Sequence, residues 1–272
     1  MPQVPRWPTI STVLLAFALG LGLLATHTDW LTPHGLAVDV EIATDVRTPW
    51  LTTVMQALSW LASPPVAATT LAVWCVALVV WRRPVSALAT FLVVAVGWCA
   101  TLLVKAIVAR PRPPIDIVHS LQPETGSDSY PSGHTAFAVS AAIAAWFLVR
   151  GTRHARRVAA LGCAAVALVG FSRLYLGVHY PGDLVGSILV STAAIVALTG
   201  LWHSPLTDRM LSGPVVGSML GLVGGASADR ARPGLGVRST GPEPLSQPGL
   251  STKQHDDVKS HRRHGCDFTS SC

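Results

Sequence analysis

Charge is what this chain has least of. Only 12% of its 272 residues are Asp, Glu, Lys or Arg, against 50% hydrophobic, and the mean hydropathy is +0.47. A soluble domain carries about 25% charged residues, so the composition excludes an ordinary soluble protein and describes a membrane one. Lysine is scarcer still. There are three, and Lys105 is the only one before residue 253. The five cysteines are scattered with no CxxC spacing, which speaks against a disulfide framework. Cys75, Cys99 and Cys163 sit in apolar runs as small packing residues. The pI near 9.4 does not point to nucleic acid, because the basic residues form no binding face and stand beside apolar runs instead.

Those runs are what the chain has in quantity. Six stretches have about the length needed to cross a hydrocarbon core: 9–26, 64–81, 86–105, 134–150, 157–172 and 183–202. The first exceeds a signal-peptide h-region and lacks an A-x-A cleavage site, so it reads as an uncleaved anchor. Arg82 and Arg83 follow the second run, and Arg150, Arg153, Arg156 and Arg157 follow the fourth, with no acid among them. The positive-inside rule puts both loops and both termini in the cytoplasm. The first outward loop, with Asp29, Asp39, Glu41 and Asp45 against Arg47, is acidic. Residues 48–62 read as a helix lying at the outer interface, anchored by Trp50 and Trp60. The expected fold class is therefore an all-α polytopic bundle of six transmembrane helices with one interfacial helix. Residues 1–202 form the membrane domain, and 203–272 a cytoplasmic, largely disordered tail rich in Pro, Gly and Ser. In 210–226, Gly213, Gly217, Gly221 and Gly225 stand four apart like a packing motif, but Pro214 and the short length favour a surface-lying or loosely structured segment.

Three polar clusters interrupt the apolar pattern, all at the outward ends of these runs. "KAIVARPRPP" places Lys105, Arg110 and Arg112 on the side where topology signalling needs no positive charge. A chain that otherwise uses arginine and spends its one early lysine here has a chemical use for it. "YPSGHTAF" sets a Pro-Ser-Gly turn before a helix, leaving backbone N–H groups free to meet an anion, with His134 at the mouth. "FSRLYLGVHYPGD" holds Arg173, His179 and Asp183. A carboxylate four residues after a histidine, across a helix start at Pro181, can hold one imidazole nitrogen as N–H and leave the other as an oriented lone pair. Charged groups at a bilayer are costly and mark function. Three cations, an anion-binding turn and two histidines at one membrane face suit a phosphate, and describe a phosphoryl-transfer site.

Together the clusters resemble the three-part signature of the type 2 phosphatidic acid phosphatase superfamily, which also includes vanadium haloperoxidases. Lys105, Arg112 and Pro113 match K-x6-R-P; Pro131 to His134 match P-S-G-H; Ser172, Arg173, His179 and Asp183 match S-R-x5-H-x3-D. The resemblance implies that His179 attacks phosphorus to form a phosphohistidine, oriented and charged by Asp183, and that His134 protonates the leaving oxygen. It implies that Lys105, Arg112, Ser132, Gly133 and Arg173 hold the phosphoryl oxygens, fixed cations taking the place of a metal. No carboxylate cluster accompanies them, and no metal or cofactor is expected.

A site at the outer end of a bundle, reached from the lipid plane, favours a substrate with an acyl or isoprenoid tail; members of the family act on phosphatidate, phosphatidylglycerol phosphate and polyprenyl diphosphates. The expectation is a cell-membrane lipid phosphate phosphatase with membrane lipids as its partners. The rival readings are a non-catalytic lipid-phosphate-binding or transport protein, or a phosphatase of a non-lipid monoester. A binding protein would lack a nucleophile or an acid, and neither is missing. Asp116, His119, Glu124 and Asp128 read as solvent-facing loop residues. His255, His261, His264 and Cys266 match no ordinary zinc spacing.

Overall fold

The computed structural model describes residues 1–28, 31–122, 126 and 128–203. Among them every named element is helical, and the single strand-like pairing is an isolated bridge between Pro111 and Asp128. Proline opens five helices: α1 (Trp7–His27), α3 (Pro49–Leu61), α4 (Pro64–Val80), α5 (Pro84–Val108) and α9 (Pro181–Trp202). At such a position its missing N–H is no loss and its fixed φ suits the first turn. The others are α2 (Leu31–Glu41), continued by a π-helical turn Ile42–Val46, then α6 (Ile115–Val118), α7 (Gly133–Val149) and α8 (Ala155–Tyr175).

Helices α5, α7 and α9 pack together at the centre, with α1 along α9, α4 along α5, and α8 between α7 and α3. Small residues make this closeness possible, as in membrane bundles generally. The buried face of α9 includes Gly186, Ser187, Ser191, Ala193, Thr199 and Gly200. Hydroxyls cross the seams: Ser191 Oγ donates to the Gly97 carbonyl and Ser11 Oγ to the Ala193 carbonyl, each at 3.0 Å. Tyr130 sits against Gly186, where even a Cβ would collide with its ring, and donates from its hydroxyl to the Ala18 carbonyl at 2.5 Å. One aromatic side chain thereby ties the turn before α7 to both α1 and α9. The outer surfaces of the helices are apolar too, with Val13, Phe17, Val73, Val76, Leu103 and Leu161 each more than 60% exposed. Helices apolar all round are solvated by lipid.

The six expected runs all appear as helices, yet not all as full spans. Four are long and apolar enough to cross a bilayer: α1, α5, α8 and α9. Helices α3 and α4 pass that test only as a pair, bent by 57° at Ala62–Ser63, which makes up to five. Helix α7 has 17 residues, or about 25 Å at 1.5 Å per residue, short of a hydrocarbon core of about 30 Å. The stretch expected to lie at the interface is thus α3, continuous with α4 around a bend and packed on α8. The acidic part of the first loop, for which no helix was expected, contains α2 and the π-helical turn. Residues 204–272, with the Gly-x3-Gly segment, lie outside the described residues.

Chain direction sorts the two ends of the bundle. The C-terminal ends of α5 and α8 and the N-terminal ends of α7 and α9 carry all three polar motifs. The opposite end carries the turns with Arg82, Arg83 and Arg150, where Arg150 Nη2 donates to the Met1 carbonyl at 3.2 Å. The arginine-rich turns and the candidate site are therefore a bundle length apart.

Candidate active site

The site is assembled from four helix ends. At the first, α5 closes with Lys105 in its last turn, and its Nζ donates to the Asp128 carbonyl at 2.7 Å. The chain then turns through Ala109 in the left-handed region and runs on as Arg110–Pro114. Arg112 is pinned by two backbone oxygens: Nε donates to the Gly126 carbonyl at 3.1 Å and Nη1 to the Val178 carbonyl at 2.9 Å. A guanidinium held this way spans the loop before α7 and the loop before α9, with its charge fixed between them.

At the second end, the Tyr130–Pro131 peptide bond is cis and Ser132 caps α7. Its Oγ accepts from the Thr135 N–H at 3.4 Å and the Thr135 hydroxyl at 3.2 Å. The Ala136 N–H bonds the Ser132 carbonyl at 3.0 Å. The N–H groups of Gly133 and His134 have no partner within the helix, as at any helix start. His134 follows on the first turn, its Nε2 buried and without a hydrogen-bond partner.

The third and fourth ends meet in the tight connection from α8 to α9. Gly177 takes φ +70°, and a Cβ there would crowd Arg47 and Val118. His179 is 2% exposed. Asp183 occupies the third position of α9 and closes a capping box, its Oδ2 accepting from the Tyr180 N–H at 2.9 Å. The same oxygen stands 3.2 Å from His179 Nδ1, while Arg112 Nη1 stands 3.5 Å from Nε2. An arginine can only donate, so the arrangement assigns the proton to Nδ1, facing Asp183, and the lone pair to Nε2. Burial holds the His179 imidazole below the ordinary histidine range. Asp183 opposes that shift, and Arg173 and Arg112 reinforce it. The ring is therefore neutral at pH 7 and its Nε2 lone pair is available.

Lys105, Arg112, Gly133, His134 and His179 line one cavity of about 560 Å³, closed by Gln122 and by Ser63, Pro64, Trp98 and Leu102 from α3–α5. Its walls thus pair a cationic end with an apolar flank. A larger cavity, about 740 Å³ between α7, α8 and α9, holds none of these motif residues beyond the neighbourhood of Thr135 and is almost wholly apolar. The chemistry belongs to the smaller one. Ser132, Arg173 and Asp183 are fully buried behind the cavity surface. Arg173 Nη1 donates to Ser59 Oγ and, at 3.3 Å, to Gln122 Oε1, while Ser59 itself donates to Gln122 at 2.9 Å. Among the described residues no three His, Cys, Asp or Glu side chains come together as metal ligands.

Three participants escaped the sequence reading. Ser59 and Gln122 orient Arg173 from 114 and 51 residues away, and neither stands in a motif. Arg110, read only as part of a basic cluster, makes a buried ion pair with Asp183 at 2.8 Å.

Residues 85–205 match the PAP2 superfamily, a segment that contains all three motifs. The chain is 34% identical over 96 residues to undecaprenyl-diphosphatase BcrC of Bacillus subtilis (35% of this chain, 47% of that protein). It is 44% identical over 80 residues to phosphatidylglycerophosphatase B of Escherichia coli K12 (29% of this chain, 31% of that protein). The matches thus span about half and about a third of these relatives' lengths. The fold is similar to the crystal structure of the PAP2-type phosphatidylglycerolphosphate phosphatase from Bacillus subtilis, with TM-score 0.62 and 25% identity over 70% of this chain and 94% of that one.

Proposed function

We propose that this protein is an integral membrane phosphatase that hydrolyses lipid phosphates or diphosphates through a phosphohistidine on His179. The observation that carries the reading is the His179 ring, with Nδ1 against Asp183 and Nε2 in a cavity shared with Lys105, Arg112 and His134. Nε2 attacks phosphorus while Asp183 compensates the charge that develops on the ring. His134 gives a proton to the departing oxygen, and a bound phosphate dianion beside it favours the protonated form that this step requires. Water then attacks the phosphohistidine, with His134 accepting its proton. Lys105, Arg112, Arg173, Ser132 and the N–H groups at the start of α7 neutralise the phosphoryl oxygens. Such positioning and neutralisation is most of what phosphoryl transfer asks of a protein.

The apolar flank of the cavity, with Trp98, Leu102 and Pro64, suits a tail lying in the bilayer. One of the two relatives is named for an isoprenoid diphosphate and the other for a glycerolipid monophosphate, so both classes belong in the test. Purified protein in detergent is assayed for phosphate release from phosphatidate, phosphatidylglycerol phosphate and a polyprenyl diphosphate. Release from at least one supports the reading, and release from none overturns it. In the same assay activity survives EDTA and is inhibited by vanadate, because lysine and arginine stand where a metal-dependent phosphatase places its ions. Loss in EDTA that Mg²⁺ restores refutes the cationic site.

The site faces outward in this reading, with residues 203–272 and both termini in the cytoplasm. Six crossings are required for that, with α4 and α7 each counted as one. The exposed positions Asp116, beside the site, and Arg153, at the far end, test it. In a background lacking native cysteines, Asp116→Cys reacts with an impermeant thiol reagent in intact cells and Arg153→Cys does not. The reverse pattern moves the active site to the cytoplasm.

A further inference from the structure

We propose that Arg110 is a positioning residue that locks Asp183 against His179 without touching the phosphate, an inference that rests on the phosphatase reading above. Asp183 is wholly buried and engages three donors: Oδ2 faces His179 Nδ1 at 3.2 Å and the Tyr180 N–H at 2.9 Å, and Oδ1 takes Arg110 Nη1 at 2.8 Å. Of the three only Arg110 carries a permanent charge. Without it, a carboxylate in that setting takes up a proton rather than stay ionised. A protonated Asp183 no longer compensates charge on the His179 ring.

Arg110 is itself held rigidly. Its guanidinium lies 3.9 Å over the Tyr180 ring, and Nη2 donates to Thr32 Oγ1 at 3.3 Å from the first turn of α2. The side chain does not line the catalytic cavity. It borders a separate space of about 240 Å³ with His34, Gly35 and Tyr180. Among the described residues the other acid acting on Arg110 is Asp39 of α2, fully buried, both of its oxygens without a hydrogen-bond partner. Burial, with Asp183 nearby, pushes Asp39 up to about 8, against the pull of Arg110 and Arg47. Asp39 is thus mostly uncharged near neutrality and leaves the charge of Arg110 to Asp183. Among the described residues the other charged or titratable groups around the dyad are Arg112, Tyr130, His134, Arg173 and Tyr180.

The test compares wild type, Arg110→Gln, Arg110→Lys, Asp183→Asn and the double variant Arg110→Gln/Asp183→Asn on the best substrate, over a range of pH. Removing a positive charge beside Asp183 makes the His179–Asp183 pair bind a proton more readily. Arg110→Gln therefore lowers kcat about 10²-fold, the lower end of what acid–base groups contribute, with KM changed less than about threefold. Its acidic limb of kcat/KM moves to higher pH by about one unit, the shift an opposite charge at contact distance produces. Arg110→Lys restores the limb and most of kcat. The double variant is no slower than Asp183→Asn, because a residue acting only through Asp183 has nothing left to act on. That comparison stands even where Arg110→Gln alone does not fold, since removing both charges leaves neither buried alone. Three results overturn the proposal: a KM rise with kcat preserved, which places Arg110 on the phosphate; a loss equal at every pH that Lys does not restore; or a further loss in the double variant. If wild type turns over and Arg110→Gln matches it, this inference alone fails; if wild type is inactive on every substrate, the phosphatase reading fails and takes the inference with it.

Discussion

His179→Ala abolishes phosphate release from every substrate class, by at least about 10⁴-fold, as loss of a covalent nucleophile does. The imidazole is the group that combines a lone pair aimed into the cavity with a carboxylate behind its other nitrogen. Among the described residues no carboxylate bonds His134, its Nε2 standing unbonded, and without an orienting acid it makes the poorer nucleophile. Brief incubation with a ³²P-labelled substrate followed by denaturation leaves an acid-labile label on wild-type protein and none on His179→Ala. Folding is controlled by a monodisperse profile in detergent and by retained vanadate binding to the cations. Label that survives the loss of His179 places the nucleophile elsewhere and removes the central step of the mechanism.

Much of this was legible in the chain because membrane helices and phosphate sites write local signals. Apolar runs bounded by proline gave the helices to within about three residues: 183–202 was expected where α9 runs Pro181–Trp202, and 86–105 where α5 runs Pro84–Val108. Asp183 four residues after His179 is a spacing across one helix start, so their contact followed from turn geometry alone. The Pro-Ser-Gly turn was expected to open a helix, and α7 starts at Gly133 with Ser132 as its cap. Arg173 was placed at a helix end and lies in the last turn of α8, which continues to Tyr175.

What sequence could not reveal is tertiary. Ser59 looks like any small polar residue in an apolar stretch until α3 packs on α8 and brings it to Arg173. Arg110 and Arg112 are equivalent by composition, two residues apart in one basic run. The fold sends the first to Asp183 Oδ1 and the second toward His179 Nε2. The length of α7 is a similar case. Its apolar composition signals a span, but the cap at Ser132 and the turn after Val149 cut it to 17 residues, and only its place at the centre of the bundle says what surrounds it.

His134→Ala separates substrates by their leaving groups. A monoester such as phosphatidate expels an alkoxide, a strong base that needs a proton as the P–O bond breaks. A polyprenyl diphosphate expels a phosphate monoester, whose charge is already delocalised. If His134 is the general acid, its removal slows the monoester by about 10²–10⁴-fold, the usual worth of a positioned acid, and the diphosphate by distinctly less. The phosphohistidine is a second readout. Loss of the acid slows formation of the intermediate from a monoester, and loss of the same group as base slows its hydrolysis whichever substrate made it. With the diphosphate, where formation is less impaired, label on His179 therefore persists longer in His134→Ala than in wild type. The position of His134, on the first turn of α7 with its Nε2 unbonded and its ring lining the same cavity as His179, motivates both expectations. Equal slowing of the two substrate classes, with no change in the lifetime of the label, makes His134 a phosphate-binding group and leaves the proton to come from water.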